Sequence, residues 1–392
     1  MKPIVIVGAG LAGWTVVREL RKLDKDVPLV MVAADSADFY AKPMLSNALA
    51  AGKTAEQLVQ TPAATMATTL AIELRAHRHV TRIDRAQQCV VLDDGSELGY
   101  QRLALALGAD PIRLPMAGNA AVEIVSINDL ADYGRFRQKL ASLNKPDGAR
   151  LVILGAGLIG CEFANDLRSK SADGNKIAVS VFDPSPQALG RLLPPAAAEF
   201  YRTRLADAGI DFHFGESITS VAHDGHAYRL TASNGEIIQA DLVLSAVGLR
   251  PRTGLASESG LSVGRGIRTD KFLATDDPAI FALGDCAEVV GLNLPFVLPI
   301  MNAARALAAT LAGKPTAVVY PAMPVVVKTP ACPTVVAPPV AGVSGQWQEE
   351  RLANGVRSLF RADDGALLGF ALCGDTVTER QALTKELPAT LA

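Results

Sequence analysis

Two glycine-rich turns in this chain have the spacing that suits the pyrophosphate of a dinucleotide. The Gly-x-Gly-x-x-Gly spacing occurs at Gly8, Gly10 and Gly13 and again at Gly155, Gly157 and Gly160. The first glycine permits a tight bend, the second lets backbone approach the phosphates, and the third lets a helix pack closely on a strand. The helix N-terminus then offers free N–H groups to the anion. The intervening residues belong to the same candidate sites: Leu11, Ala12, Leu158 and Ile159.

The residues on either side of each turn supply the context that the motif requires. An apolar run precedes each turn, a helix-like stretch follows it, and a second apolar run comes next. The first unit comprises residues 4–7, 14–23 and 28–32, and the second comprises residues 151–154, 161–169 and 178–182. Strand, turn, helix and strand therefore occur twice, which predicts two nucleotide-binding units. Residues 144–148 are interpreted as a linker before the second unit.

A carboxylate at the end of the second strand of such a unit accepts hydrogen bonds from a ribose 2′-hydroxyl. In the second unit this residue is Asp183, which repels a 2′-phosphate and predicts NADH rather than NADPH. Arg191, further along, is the group that would favour NADPH instead. In the first unit Asp35 comes slightly later than expected and is our candidate for the ribose of the first nucleotide.

A third motif bears on the identity of the first nucleotide. Residues 275–285 resemble the second FAD fingerprint of flavoproteins with two dinucleotide domains, in which a strand ends in Gly-Asp. Gly284 would let the backbone approach the cofactor, and the carboxylate of Asp285 would accept hydrogen bonds from ribitol hydroxyls. Residues 103–109 and 244–248 match the short segments that close the FAD and NAD domains of this class, and they add Ala109 and Gly248 to the candidates.

Longer strings make the resemblance more specific. They are residues 40–46 (YAKPMLS), 155–166 (GAGLIGCEFAND), 245–253 (SAVGLRPRT), 282–288 (ALGDCAE) and 323–333 (MPVVVKTPACP). On these strings the chain resembles the FAD-dependent pyridine nucleotide-disulfide oxidoreductase superfamily, and within it the reductases that use rubredoxin as electron acceptor. The resemblance implies non-covalent FAD, NADH as donor, rubredoxin as partner, and electron supply to a system such as an alkane hydroxylase.

The fold expected on this basis is α/β, with two Rossmann-like dinucleotide-binding domains and a small C-terminal α/β domain. We expect the FAD domain in residues 1–115 and 247–322, the NADH domain in residues 116–246 and the C-terminal domain in residues 323–392. Short β-like runs are expected in the last domain at residues 325–328, 335–336, 358–361 and 367–372, followed by a helix and tail.

Hydride transfer between two stacked rings needs positioning rather than a general base. None of the five histidines lies in a motif, and we interpret them as surface or loop residues. The resemblance places Lys42 and Pro43 along the flavin, and we propose Glu162 as the partner of Lys42. By the same resemblance Lys328 reaches the flavin edge or the acceptor-docking surface. The expected catalytic residues are therefore Lys42, Glu162 and Lys328.

The cysteines indicate how electrons leave the flavin. The chain has five, at widely separated positions, and none lies between Gly13 and Cys89, where disulfide reductases of the superfamily carry a close pair. We therefore expect buried structural thiols and direct one-electron transfer to the acceptor. Two alternatives stay open: a ferredoxin reductase that serves a Rieske-type oxygenase, and a flavin- or NADH-sensing protein that signals by binding.

Composition excludes several other classes. The net charge is −2 and the pI about 6.2, which argues against nucleic-acid and membrane-surface binding. No run of about 20 apolar residues suggests a membrane span, and the glycines of the first turn interrupt any signal-like start. No metal-ligand motif is present, so no metal is expected. Unpaired cysteines fit a reducing compartment, and we expect a cytoplasmic protein.

Overall fold

The computed structural model describes residues 1–143, 145, 148–169, 177–340 and 342–392. Within these residues, two parallel sheets precede an antiparallel sheet, and four smaller ladders accompany the parallel sheets. The expected α/β class, with two dinucleotide-binding sheets and a small C-terminal domain, is confirmed. The linker expected at residues 144–148 lies partly outside the described residues.

The first parallel sheet combines strands near the amino terminus with one strand from far along the chain. Across the sheet the strands are β18 (Ile280–Ala282), β7 (Arg102–Leu105), β1 (Ile4–Val7), β2 (Leu29–Val32) and β3 (Glu73–Arg75). Val7 is level with Val32 on one side and with Leu105 on the other. The carboxyl ends of these parallel strands therefore meet at one edge, where the first glycine turn lies.

Helices cover this sheet, and α1 contacts α8 along its length. The helical segments of this part of the chain are α1 (Leu11–Leu23), a 3-10 helix at Lys42–Asn47, α2 (Ala55–Leu58), α3 (Ala63–Thr69), α7 (Gly254–Glu258), a 3-10 helix at Gly284–Cys286 and α8 (Val297–Leu311). The helix α1 begins three residues before the limit expected from the sequence, because the extended backbone of Gly10 caps it.

The second parallel sheet repeats the arrangement. Across the sheet its strands are β11 (Ile210–Phe214), β10 (Ile177–Asp183), β9 (Ala149–Leu154) and β15 (Leu242–Ser245). Its helical segments are a 3-10 helix at Ala121–Glu123, α4 (Leu130–Ser142), α5 (Leu158–Arg168) and α6 (Pro195–Asp207). The glycine turn between β9 and α5 again lies at the carboxyl edge, and Gly157 caps α5 as Gly10 caps α1.

Small ladders complete the first two domains. Two three-stranded antiparallel sheets are formed by β4 (Val80–Asp84), β5 (Cys89–Leu92) and β6 (Glu97–Gly99), and by β12 (Ile218–Asp224), β13 (Ala227–Ala232) and β14 (Ile237–Ala240). Two-stranded ladders pair β8 (Ala109–Pro111) with β16 (Leu249–Pro251), and β17 (Ile267–Thr269) with β19 (Ala287–Val289). The ladder of β8 and β16 joins the two segments that connect the parallel sheets.

The C-terminal domain is a five-stranded antiparallel sheet followed by a 3-10 helix at Asp375–Glu379 and α9 (Arg380–Glu386). Across the sheet the strands are β20 (Val325–Val327), β21 (Thr334–Ala337), β24 (Leu367–Gly374), β23 (Gly355–Arg361) and β22 (Gln346–Leu352). The sequence did not predict β22, because this edge strand is mostly exposed and polar. Only its Trp347 packs inward, against Phe360.

One hydrophobic core crosses the domain limits. Leu151 and Ile153 of β9 share it with Val336 and Cys373 of the C-terminal sheet, and Leu49 enters it from just after the 3-10 helix at Lys42–Asn47. The limits expected for the three domains remain a proposal, which the grouping of strands into sheets supports. Among the described helices, none combines the length and the apolar character needed to cross a bilayer.

A buried carboxylate fixes β9 beside β15. Asp241 precedes β15 and accepts hydrogen bonds from the backbone N–H of Arg150 (2.8 Å), the Arg150 guanidinium (3.1 Å) and Lys145 Nζ (2.9 Å). Burial alone would raise the pKa of Asp241, but the hydrogen bonds from Arg150 and Lys145 outweigh it and lower the pKa to about 2. The Asp241 carboxylate is therefore ionised throughout the physiological range.

We expect Asp241→Asn to lower the free energy of unfolding by about 1–3 kcal/mol at pH 7. Because the folded pKa is depressed, the stabilisation is present above the ordinary pKa of 3.8 and is lost as the pH falls towards 2. Urea unfolding of both proteins between pH 7 and 2.5 measures this. The exposed Glu199→Gln is the control and should change little. A difference between Asp241→Asn and wild type that does not shrink below pH 4 would contradict the assignment.

Candidate functional site

The first glycine turn is closely packed at Gly8 and Gly13 and open in front of Gly10. Gly8 has φ +111°, and a Cβ there would meet the carbonyl oxygen of Ala106 at 2.2 Å. A Cβ on Gly13 would lie 1.9 Å from the carbonyl oxygen of Gly8, so any side chain would separate helix from strand. A Cβ on Gly10 would meet no atom within 4 Å, which leaves open space in front of the α1 N-terminus. This cradle fits a pyrophosphate.

The Gly-Asp motif lies against the same turn. Gly284 has φ +78°, and a Cβ there would lie 3.1 Å from the Cβ of Ala12. Asp285 follows at the end of β18 and is half-buried. Within the described part of the chain, no hydrogen bond or ion pair engages its carboxylate. A half-buried acceptor without a partner, beside a dinucleotide cradle, fits the hydroxyl groups of a ribitol chain. The observed residues therefore suit FAD.

Lys42 faces this carboxylate from the 3-10 helix at Lys42–Asn47. Burial lowers the pKa of Lys42, and the charge of Asp285 partly offsets this effect. Burial likewise raises the pKa of Asp285, and Lys42 opposes that rise. Arg252, the α4 cap Asp129 and the α4 residue Asp132 also act on Lys42. The half-buried lysine thus lies between the first parallel sheet and α4, with Pro43 beside it in the first turn of the 3-10 helix.

The second glycine turn has the same geometry as the first. Gly155 has φ +102°, a Cβ on Gly160 would lie 1.9 Å from the carbonyl oxygen of Gly155, and Gly157 again faces open space. Asp183 ends β10 beside this turn. One of its oxygens accepts the backbone N–H of Ala156 (2.7 Å), and the other accepts that of Ser185 (2.7 Å). These bonds hold the carboxylate at the cradle, where a ribose would lie.

The remaining predicted residues lie at the same sheet edges. Asp35 is exposed after the end of β2, and its carboxylate accepts the backbone N–H of Ala37 (3.0 Å). Ala109 is level with Pro251 in the β8–β16 ladder, and Gly248 has φ +115° just before it. The first residues of the two dinucleotide helices are Leu11, Ala12, Leu158 and Ile159.

Glu162 and Lys328 form the charged centre of the site. Lys328 Nζ pairs with Oε2 of Glu162, and the Lys328 backbone N–H donates to Oε1 (3.0 Å). The Glu162 side chain is 4% exposed and that of Lys328 is 26% exposed. Ser46 completes the group, since its hydroxyl donates to Oε2 of Glu162 (2.6 Å) and lies 2.9 Å from Lys328 Nζ. Three segments far apart in the sequence therefore meet at one buried carboxylate.

The proposed pairing of Lys42 with Glu162 is wrong. Among the described residues Glu162 pairs with Lys328, and the charges that act on Lys42 come from Asp285, Arg252, Asp129 and Asp132. The physical reason is that β20 brings Lys328 directly over the first turns of α5, which the chain order does not reveal. Each lysine therefore has its own carboxylate.

Sequence reasoning missed three polar residues of this site: Ser46, Asn165 and Asp166. Asn165 accepts the backbone N–H of Ala331 (3.1 Å), and Asp166 accepts those of Leu49 (2.9 Å) and Ala50 (3.0 Å). A signal was available, because Glu162, Asn165 and Asp166 follow the i, i+3, i+4 spacing of one helix face. Three polar residues on a buried face need partners.

The cysteines offer no adjacent redox dithiol at the flavin side of the site. All five are free and buried, as expected. Cys332 and Cys373 lie near one another in the C-terminal sheet, where Thr334 Oγ1 is 3.7 Å from the first sulfur and 3.6 Å from the second. His213 departs from the expectation of surface or loop histidines, since it is half-buried in β11 and stacked on Phe182. His223 lies in β12 but is exposed, as expected.

Two glycine cradles on separate parallel sheets define an oxidoreductase that binds two dinucleotides. At the first cradle, the Asp285 carboxylate makes no hydrogen bond to any described residue and has Lys42 as its nearby cation. Residues 2–310 match the family described as pyridine nucleotide-disulphide oxidoreductase, and residues 317–387 match the rubredoxin binding C-terminal domain. The chain belongs to the pyridine nucleotide-disulphide oxidoreductase family, and its cofactors are FAD and NAD(H).

Individual relatives agree with this assignment over the full length. The chain is 50% identical to a rubredoxin-NAD(+) reductase of Alcanivorax borkumensis, with 99% of each chain covered. It is 44% identical to a rubredoxin-NAD(+) reductase of Acinetobacter baylyi, covering 99% of this chain and 98% of the relative. The crystal structure of a ferredoxin reductase from Rhodopseudomonas palustris superposes with a TM-score of 0.86 at 27% identity, covering 99% of this chain and 96% of that one.

The ion pair of Glu162 and Lys328 can be tested by a double-mutant cycle. We expect Lys328→Met to cost about 3 kcal/mol of folding free energy, because it leaves a buried carboxylate without its cation. Glu162→Gln combined with Lys328→Met should cost clearly less than the sum of the single changes. Urea unfolding of the four proteins gives the coupling energy. The exposed pair of Glu19 and Lys22 is the control cycle and should show almost none. Additive effects at Glu162 and Lys328 would contradict the interaction.

Proposed function

We propose that this protein is an NADH-dependent flavoprotein reductase that passes electrons through FAD to rubredoxin. One observation carries the proposal: the C-terminal sheet, which matches a rubredoxin-binding domain, inserts Lys328 into the same charged centre as Glu162 of the dinucleotide helix α5. This contact between the two domains supports a hydride-transfer site next to the acceptor domain. The two relatives named as rubredoxin-NAD(+) reductases support the same acceptor.

Each cradle has a proposed occupant. FAD would lie with its pyrophosphate on Gly8, Gly10 and Gly13, its ribose near Asp35 and its ribitol hydroxyls on Asp285. NADH would lie with its pyrophosphate on the turn from Gly155 to Gly160 and its ribose on Asp183. The carboxylate of Asp183 is held beside the turn by two backbone N–H groups, which supports this position.

FAD, when bound, takes a hydride from NADH and releases the two electrons one at a time. The residues of this chain position the two rings and set the local charge. We propose that Lys42 and Lys328 are the cations nearest the flavin. Ser46 and Glu162 hold Lys328 Nζ in place, and Asp285 faces Lys42. The contacts with Ser46 and Glu162 restrict the movement of Lys328 Nζ when the charge of the flavin changes.

A ferredoxin acceptor is less well supported. The structural neighbour from Rhodopseudomonas palustris is a ferredoxin reductase, but at 27% identity it is more distant than the rubredoxin reductases. The match of residues 317–387 to a rubredoxin-binding domain favours rubredoxin. We further propose that the protein works in the cytoplasm, and its five free, buried thiols support a reducing compartment.

Stopped-flow mixing tests the acceptor. NADH should bleach the flavin absorbance of the purified holoprotein, and rubredoxin should restore it faster than a plant-type ferredoxin does. Rubredoxins are typically acidic, so basic groups near the flavin edge should steer the encounter, and the rubredoxin step should slow as salt is raised. Faster reoxidation by ferredoxin would favour the alternative acceptor. Failure of NADH to bleach the flavin would reject the reductase proposal altogether.

The choice between NADH and NADPH should depend on Asp183. We expect Asp183→Asn to lower kcat/KM for NADH by roughly tenfold, because a charge-assisted hydrogen bond to the ribose is lost. The same change should improve NADPH relative to NADH, since the repulsion of a 2′-phosphate is removed. Steady-state kinetics with both nucleotides measures the ratio. Asp35→Asn, at the equivalent edge of the first sheet, is the control and should leave the ratio unchanged. An unaltered ratio in Asp183→Asn would disprove the role.

A further inference from the structure

The dinucleotide helix α5 carries three buried polar side chains that point to the other two domains. Glu162 binds Lys328, and Asn165 binds the backbone N–H of Ala331, so both hold the C-terminal domain. Asp166 holds the FAD domain instead. Glu162 and Asp166 are one helical turn apart, so their carboxylates lie on the same face of α5. The function proposed above uses Glu162 and gives no task to Asp166.

Asp166 is an anchor for the segment that carries Ser46. Its Oδ2 accepts the backbone N–H of Leu49 (2.9 Å), and its Oδ1 accepts that of Ala50 (3.0 Å). Asp166 and Leu49 are buried, at 3% and 5% exposure. Both carboxylate oxygens therefore accept hydrogen bonds from backbone N–H groups three and four residues after Ser46. Moving this segment would move the Ser46 hydroxyl away from Glu162 and Lys328.

We propose that Asp166 is a positioning residue of the hydride-transfer site, acting through Leu49 and Ala50 to fix Ser46 against Glu162 and Lys328. The inference rests on the proposed function, because it assumes that Glu162 and Lys328 lie at the flavin. It adds a residue to which the proposed function assigns no contact with either nucleotide. Asp166 sets the distance between the dinucleotide helix and the segment that begins at Lys42.

The charge of Asp166 makes this anchor sensitive to pH. Burial raises the pKa of Asp166 to about 6, although the hydrogen bonds from Ala50 and Leu49 and the charge of Lys328 oppose the rise. The titratable groups that face it are Lys328 from the C-terminal domain, Glu162 on its own helix and Tyr133 from α4. Ionised Asp166 binds the two N–H groups more strongly than the neutral acid does. The anchor should therefore tighten as the pH rises through 6.

Stability changes with pH in the opposite direction. Because the folded pKa of Asp166 lies above its ordinary value of 3.8, its contribution to stability is fully present below that value and is lost as the pH rises through about 6. The ionised form, which binds the two N–H groups more strongly, is therefore the form that folding favours less.

Hydrogen exchange tests the anchor directly and does not depend on turnover. The Asp166→Asn side chain has only one acceptor oxygen, so it can accept only one of the two backbone N–H groups. Its NH2 group is a donor and cannot bind the other N–H. We expect the amide of Leu49 or Ala50 in the holoprotein to exchange at least about tenfold faster than in wild type. Asp270→Asn is the matched control, since Asp270 also holds two backbone N–H groups, those of Phe272 and Ala274, but in a remote turn. Unchanged exchange at both Leu49 and Ala50 in Asp166→Asn would overturn the anchor.

Stopped-flow reduction of the flavin by NADH tests the positioning role. Asp166→Asn should reduce the limiting rate roughly ten- to hundredfold with little change in the half-saturating NADH concentration, because the ring geometry is disturbed and nucleotide affinity is not. In wild type the rate should rise with an inflection near pH 6, and this inflection should be absent from the variant. Asp270→Asn should behave like wild type in both respects. Faster exchange in Asp166→Asn with an unchanged rate would show a purely structural residue and overturn the proposal.

Two further outcomes are separable. If wild-type flavin is not reduced by NADH, the proposed function fails, whereas the exchange result at Leu49 and Ala50 still reports on the anchor. If Asp166→Asn does not fold, Asp166→Glu keeps the charge on a longer side chain. It should retain an inflection in the pH profile of flavin reduction at a lowered rate. An Asp166→Glu protein with a wild-type rate and no inflection would overturn the proposal.

Discussion

A carboxylate moved from water into a protein interior costs several kcal/mol unless a cation and hydrogen-bond donors surround it. Glu162 meets this constraint with groups from three parts of the chain. Its own helix follows β9 of the second parallel sheet, Ser46 lies in the 3-10 helix at Lys42–Asn47, and Lys328 follows β20 of the C-terminal sheet. Displacing either partner would leave the buried Glu162 carboxylate without part of its compensation. This carboxylate therefore adds a charged contact to the apolar core that the second sheet shares with the C-terminal sheet.

Local patterns predicted most of the framework. The glycine spacing fixed both dinucleotide turns, because such turns have no alternative to glycine where a Cβ would meet a carbonyl oxygen at about 2 Å, as at Gly8 and Gly13. Helix limits were less accurate: α1 and α5 each begin inside the motif, since Gly10 and Gly157 act as caps. The strand β22 was missed because an exposed edge strand needs no alternation of apolar and polar residues.

The partners of the charged residues could not be predicted from spacing. Lys42 and Glu162 were joined by their nearness to the flavin motifs, yet Glu162 pairs with Lys328, which is further along the chain and in another domain. Tertiary contacts of this kind depend on how sheets pack, which no local pattern records. Asp166 was visible in the sequence as a polar residue on a buried helix face, but its donors, two backbone N–H groups, have no side-chain signature.

The hydrophobic core shared by the second parallel sheet and the C-terminal sheet has a consequence for how such proteins diversify. Leu151 and Ile153 belong to the same buried cluster as Val336 and Cys373, so the acceptor-binding module has no separate interior of its own on that side. A chimera that exchanged residues 323–392 for another acceptor module would have to bring matching apolar contacts and a lysine for Glu162. Acceptor specificity in this architecture would therefore change by surface substitution more readily than by exchange of whole domains.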